Sequence, residues 1–354
     1  MVQILIILVG LLIASNPTLA EINTTEIPQS NELPKSEEKV FDGTENFLYA
    51  EDIDLYIGQE LYVKGNIYKW GYKGFFIDLD YFDLKYFDRI NKRPNIYEPE
   101  NGNSSNSGSQ YDKLVGKYFT VVDVIRKETD DNELLLFLKL QAKDTKELLY
   151  FKYPPTGERF SLLKDLAMLN GYFPFLSVKY FETQKKREVG KKYIFRRSEY
   201  FEPPIDIETG EKVYTQLDSV WECVDLTLEK NNWVLSAILK SNTGRKLLYS
   251  LENLNLPING LGAHNYASEV GLQYVFEKSI ADKYRKKLGT NNWKLILSGS
   301  VIPGMTKEMC ELALGVPYDM NRTETTNSIE EQWIYKNLGK YVYFKNNIVT
   351  SVQD

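Results

Sequence analysis

Gly304-Met-Thr-Lys-Glu-Met-Cys-Glu-Leu-Ala-Leu-Gly-Val-Pro317 reads as one complete helix with both ends marked. Thr306 supplies a hydroxyl N-cap, and Glu308 places an acid in the first turn, where the helix dipole favours it. Gly315 is the left-handed stop, with Pro317 just beyond it. Met305, ahead of the cap, can pack on Cys310 as a hydrophobic staple. Met309, Cys310, Ala313 and Leu314 then form one apolar stripe.

Downstream, Gln332-Trp-Ile-Tyr335, Tyr341-Val-Tyr-Phe344 and Ile348-Val-Thr-Ser-Val352 read as three strands, with Asn337-Leu-Gly-Lys340 and Asn346-Asn347 as the turns between them. Alternation sends Trp333, Tyr335, Val342, Phe344 and Val349 to one face, which should take the helix. It sends Ile334, Tyr341, Tyr343, Ile348, Thr350 and Val352 to the other. A sheet covered on one side only is ordinarily polar on its far side. Ile334, Tyr341, Tyr343 and Ile348 are therefore candidate binding residues, because an apolar patch with tyrosines at its centre has the composition of a binding hot spot. Two alternatives stand beside this: the face packs on the preceding domain, or a bulge at a turn reverses the assignment.

The order of these pieces resembles the SmpA/OmlA family of outer-membrane proteins, which share a fold with the β-lactamase inhibitor proteins. The resemblance is carried by Gly304-Met305-Thr306, Gly315 with Pro317, Trp333 with Tyr335, and Tyr343-Phe344 before the Asn-Asn turn, and it covers roughly residues 301–353. It implies an α+β module that binds other envelope proteins and is not an enzyme. That family is typically small and lipidated, whereas this chain has no cysteine near its start and a long β-rich portion in front. The whole chain also resembles uncharacterised exported proteins of Bacteroidota.

At the other end, Val2 to Ile13 is almost wholly apolar and is followed by Thr18-Leu19-Ala20 before Glu21, the pattern of a secretory signal peptide over 1–20. The apolar run is too short to span a bilayer, and no other segment is long and apolar enough. The reading is therefore an exported protein of the periplasm or envelope surface with no transmembrane segment in its mature chain. A polar stretch with Pro28 and Pro34 reads as a disordered spacer, here bounded at 21–54.

Between these ends the signal is strand, rich in Tyr, Phe, Val and Ile. Gly58-Gln-Glu-Leu-Tyr-Val63, Gly116-Lys-Tyr-Phe-Thr-Val121 and Gly190-Lys-Lys-Tyr-Ile-Phe195 each lead from a glycine into a strand. Asp144-Thr-Lys-Glu-Leu-Leu-Tyr150 matches Thr243-Gly-Arg-Lys-Leu-Leu-Tyr249. The expected architecture is mainly β, with two or three small SH3-like barrel units followed by a helix-plus-three-stranded antiparallel α+β module. The units are placed at 55–110, 111–156 and 189–257, with a helical connector at 157–188 containing the helix Phe160–Leu169 and the module at 258–354. Glu202–Gly210 is an inserted loop or hairpin in the third unit, Asn101–Ser109 is a flexible low-complexity loop, and Val275 to Leu288 is a helix closed by Gly289.

Chemistry is scarce. One histidine in 354 residues, His264 in a turn-like Gly-Ala-His-Asn, leaves little for zinc sites or histidine-based triads. Asp78-Leu-Asp80-Tyr-Phe-Asp83 lacks the glycine and closing glutamate of a calcium loop and reads as a strand, with Ile77, Leu79 and Tyr81 inward. Cys223 and Cys310 read as separately buried thiols rather than a bridge. A net charge of −6 argues against a nucleic-acid partner. No catalytic, cofactor-binding or metal-binding constellation is read, and no cofactor is expected. The expectation is a non-catalytic envelope binding or assembly protein acting through protein partners. The alternatives are a glycan- or peptide-acting hydrolase using paired carboxylates, which needs no histidine, or a carbohydrate-binding protein using surface aromatics.

Overall fold

The computed structural model describes residues 39–90, 92–99, 108–130, 132–154, 173–196, 203–229, 233–254 and 275–354. The signal-peptide stretch, the helix Phe160–Leu169, His264 and most of Asn101–Ser109 lie outside the described residues. Every element below lies within Val40–Asp354, one compact unit.

Its first sheet is built from β1 (Glu60–Val63), β2 (Phe75–Phe76), β3 (Tyr118–Glu128), β4 (Leu134–Ala142), β5 (Leu148–Lys152) and β6 (Phe175–Ser177). These pair in the order β2-β5-β4-β3-β1-β6, every neighbour antiparallel. Strands β3 to β5 are a meander, and β6 returns to lie beside β1, with Leu61 opposite Ser177. Inward residues Leu61, Phe119, Val121, Leu138, Leu140, Leu149 and Phe175 are fully buried. A ring cluster of Phe47, Tyr56, Tyr153 and Phe173 fills one end, with Phe47 stacked on Tyr153 at 5.1 Å.

This core corrects the spacer boundary. Phe41, Phe47, Leu48 and Ile53 are buried in it, and Asn46 clasps β6 by donating to Phe175 O and accepting from Ser177 N. Short apolar residues scattered among polar ones gave no periodicity to read. The Asp78–Asp83 stretch is also corrected: Asp80–Asp83 is a 3₁₀ turn, Ile77 is exposed, and Leu79 and Phe82 cap the outer face of β4 at Leu135 and Phe137.

Helix α1 (Val178–Glu188), capped by Ser177 accepting from Tyr180 N, leads into the second sheet. That sheet comprises β7 (Lys192–Phe195), β8 (Ile205–Asp206), β9 (Val220–Leu228), β10 (Leu235–Ser241), β11 (Lys246–Ser250) and β12 (Val275–Glu277). Its order, β8-β11-β10-β9-β7-β12, repeats that of the first sheet strand for strand.

The likeness reaches single hydrogen bonds. Gly58 N donates to Val121 O at 2.8 Å and Gly190 N to Cys223 O at 2.8 Å; Val121 N returns to Gln59 O, and Cys223 N to Lys191 O. Both central hairpins slip register at the same place, between Val121 and Asp123 in one and beside Cys223 and Asp225 in the other. In each, the aspartate accepts from the next backbone amide. Two copies of one six-stranded topology therefore make up the β-rich portion.

The expected units at 55–110 and 111–156 are accordingly one sheet, not two. The pairing of β1 with β3 spans more sequence than a local pattern can reveal, and Gly116 has no part in the repeat. The expected helical connector at 157–188 is described only from residue 173: Phe175–Ser177 is β6, a strand of the first sheet, and Val178–Glu188 is the helix α1 between the two sheets. The Ile205–Asp206 strand, read as an insertion, is the counterpart of β2.

The expected helix over Val275–Leu288 is also corrected: Val275–Glu277 is β12, paired with β7, and only Lys278–Leu288 is helical (α2). The β-branched and aromatic start of that segment favours a strand. Helices α3 (Thr290–Leu297) and α4 (Lys307–Leu314) follow. Thr306 caps α4 by accepting from Met309 N at 3.2 Å, and Met305 and Cys310 are both buried.

The last sheet runs β13 (Asp319–Glu324), β14 (Ile329–Tyr335), β15 (Lys340–Lys345) and β16 (Ile348–Gln353), in sequence order. The first of these is an unexpected fourth strand. Every one of its side chains is exposed, so it carries no apolar alternation. Trp333, Tyr335, Val342, Phe344 and Val349 all face the helices, as alternation predicts, and they share a core with Ile194 and Phe276 of the second sheet.

Candidate protein-binding surface

The far face of the last sheet is laid out by register. Ile334 lies between Asp319 on β13 and Tyr341 on β15, and Gln332 lies between Asn321 and Tyr343. A chain of polar contacts crosses the strands: Asn321 Nδ2 donates to Gln332 Oε1 at 2.9 Å, Gln332 Nε2 donates to Tyr343 OH at 2.9 Å, and Tyr343 OH donates to Gln353 Oε1 at 3.1 Å. Tyr343 is thereby tied to its neighbours and half-buried, whereas Tyr341 and Ile348 stand 38% and 40% exposed. Ile334 is half-buried beside Tyr341.

The structure thus places all four candidate residues, Ile334, Tyr341, Tyr343 and Ile348, on one face, although Ile348 lies two rows from Tyr341. Val352 is corrected. Register slips between Tyr343–Ser351 and Phe344–Val349, so an extra residue on β16 turns Val352 inward opposite Val342, against the core. Thr350 Oγ1 donates to Tyr343 O at the bulge. The face is less apolar than alternation alone implies, because half of it is the polar chain just described.

On the helix side, Glu331 is buried but compensated. It accepts from Trp333 Nε1 at 2.9 Å and pairs with Lys307 Nζ at 2.7 Å. Burial pushes its carboxyl up, but these donors outweigh that and hold it below the usual range. Glu188, fully buried at the end of α1, is likewise ringed by Arg187, Lys191 and the Tyr193 hydroxyl, which lower it against its burial. Asp206 is lowered first by its hydrogen bond from Arg245. Each of these acids has its own cations and none faces a second carboxylate, so their arrangement is that of structural ion pairs.

The cysteines are apart and free. Cys223 lies in the core of the second sheet and Cys310 on α4, its Sγ 3.6 Å from Tyr335 OH. Burial pushes Cys223 up to about 11 and Cys310 up to about 12. Both stay as thiols at neutral pH and are chemically quiet. Among the described residues no group of three or more His, Cys, Asp and Glu side chains is placed to hold a metal ion. Among them, too, no helix is long and apolar enough to cross a membrane.

Two features escape strand alternation because they lie in a loop and at a strand end. One is an exposed cluster of Ile67, Tyr68 and Trp70 between β1 and β2. Its sequence signal is a run of aromatics and lysines without an acid. The other is Arg196, buried at the end of β7, which donates to Leu312 O at 2.8 Å and to Ala313 O, the open carbonyls at the C-terminus of α4.

No protein-family model matches the chain, and no curated protein or solved structure matches it significantly.

Proposed function

We propose that this chain is a non-catalytic, exported cell-envelope protein that binds a protein partner through the far face of its C-terminal sheet, centred on Ile334, Tyr341, Tyr343 and Ile348. The observation that carries the reading is exposure: Tyr341 and Ile348 stay open to solvent on a face that none of the described apolar clusters includes. Tyr343, held in place by a cross-strand polar chain, preorganises the middle of that face, which lowers the entropy lost on binding.

Export rests on the apolar stretch Val2–Ile13 and the small-residue site ending at Ala20. The helix α4 followed by a sheet supports likeness to the SmpA/OmlA module, and a last strand returning beside the first, with a meander between, supports the SH3-like reading of each six-stranded unit. The hydrolase reading gains nothing from acids that are each neutralised by their own lysine or arginine.

Changing Tyr341 and Tyr343 together to serine tests the reading. Cross-linking in the native envelope should capture a defined partner with the unaltered chain and lose it with the variant, while the melting temperature stays within a few degrees. Strong destabilisation, or an unchanged cross-linked partner, removes this face as the binding site.

A further inference from the structure

Lys64-Gly-Asn-Ile-Tyr-Lys-Trp-Gly-Tyr-Lys73 holds three lysines and no acid, in a chain whose net charge is −6. Its tip is a turn locked by one side chain. Asn66 Oδ1 accepts from Trp70 N at 2.8 Å, Asn66 Nδ2 donates to Trp70 O at 2.8 Å, and Lys69 N donates to Asn66 O at 3.1 Å. Lys69 takes a left-handed φ of 51° to close it. The turn stacks Tyr68 on Trp70, with ring centroids 4.6 Å apart and planes 22° from parallel.

Ile67, Tyr68 and Trp70 are nonetheless 61%, 68% and 67% exposed, and Lys69 and Lys73 are exposed beside them. The base is fixed. Tyr72, itself buried, donates its hydroxyl to Lys64 O at 2.6 Å, and the indole of Trp233 lies against Gly65. An apolar tip is thus held out in water by a rigid pedestal.

Three chemistries take exposed aromatics: a sugar, a peptide and a lipid surface. Selective sugar binding needs hydrogen-bonding groups placed around the stacking ring, but both ends of the Asn66 amide are spent on the Trp70 backbone. A peptide would need a groove or a strand edge, and this is a convex turn. Trp and Tyr with an aliphatic neighbour and flanking lysines have the composition of a membrane interface. There rings sit at headgroup level and lysines meet anionic lipid. Positive charge gathered here, in an otherwise acidic chain, also orients the molecule toward such a surface.

We infer that the Asn66 turn is a docking point for an anionic lipid bilayer. Ile67, Tyr68 and Trp70 enter the headgroup layer, while Lys69 and Lys73 lie against the lipid phosphates.

The test uses the full chain with vesicles of phosphatidylcholine, alone or mixed with phosphatidylglycerol, carrying brominated acyl chains that quench nearby indoles. Trp221, Trp293 and Trp333 are buried, and Trp233 is half-buried against Gly65, so the measurement is made in a Trp233→Phe background, where quenching reports chiefly on Trp70. Quenching should appear with the anionic vesicles and largely vanish in Trp70→Phe, which keeps the ring and most of the binding. Serine at Lys69 or Lys73 should weaken binding about five-fold each. Serine at Ile67, Tyr68 and Trp70 together should abolish the loop's contribution with circular dichroism unchanged, since these side chains lie outside the core. Vesicle binding that leaves Trp70 unquenched places the contact elsewhere, for example in the apolar N-terminal stretch, and overturns the inference. So does a response of Trp70 to soluble glycan with none to vesicles.

Discussion

Trp233, in the β9–β10 hairpin of the second sheet, lies so close to Gly65 of the first that a β-carbon on Gly65 would fall 2.0 Å from its Cε2 atom. The two repeats are therefore joined by a contact that only glycine permits. Gly65→Ala should destabilise the chain by about 1–3 kcal/mol, the cost of overpacking a fixed ring. Its thermal transition should recover when Trp233→Ala is added, in a double-mutant cycle. Additive effects of the two changes would show that they act independently.

Arg196 ties the second sheet to α4 through two backbone carbonyls. Arg196→Met keeps the apolar length but leaves Leu312 O and Ala313 O unpaired, so a loss of about 2–4 kcal/mol is expected in urea unfolding. Arg196→Lys, lacking the fork that reaches both carbonyls, should recover only part of it. A variant as stable as the parent would mean that water replaces the guanidinium without cost.

Four acids set the behaviour in acid: Glu188, Asp206 and Glu331 are buried, and Asp225 is partly exposed beside Lys185. Glu188, Asp206, Asp225 and Glu331 all have folded-state values below their unfolded ones. Their stabilisation is therefore fully present above the ordinary carboxylate range and is lost as pH falls through the depressed values. The melting temperature should stay level near neutrality and drop increasingly below about pH 4.5. Glu188→Gln should cost about 3 kcal/mol at neutral pH, because it leaves buried Tyr193 and two cations without their carboxylate. It should also flatten the acid-side slope. An unchanged slope would assign the acid transition to the other carboxylates.

The thiols should be silent until the fold opens. Ellman's reagent should find no reactive thiol in the native chain and two per chain in denaturant, as expected for free, buried Cys223 and Cys310. Reducing agent should shift the melting temperature by less than a degree or so, since no bridge closes a loop.

The parts of this fold that were legible in sequence are those whose information is local. Helix α4 announces itself through Thr306 and Gly315, and the inward face of β14 to β16 through Trp333, Tyr335, Val342 and Phe344. Strand β13 was not legible because Asp319–Glu324 is exposed on both faces and is held by backbone pairing and a few polar side-chain contacts, with no apolar alternation to mark it. The turn of Val352 to the core depends on a bulge that no residue type marks. The repeat was half visible: its hairpin ends align, as do Gly58 and Gly190, yet Gly116 offered an equally good glycine-strand match. What separates them is a pair of hydrogen bonds to Val121 and Cys223, far along the chain. Of the candidate site, the four outward residues were readable by alternation. The polar chain through Gln332 and Tyr343 was not, since it needs β13 in place.

One strand order used twice gives the growing chain an ambiguity that it must resolve in time rather than by affinity. Strand β6 completes the first sheet beside β1, and β12 completes the second beside β7, through equivalent registers. In principle either closing strand fits either vacancy. During synthesis β6 emerges before β7 exists, so the first sheet can shut before its rival site is made, and α1 then carries the chain away from it. A chain diluted from denaturant has no such schedule, and both vacancies compete for both strands. Misdocked repeats are the expected failure on that route, which makes the direction of translation part of what specifies this structure.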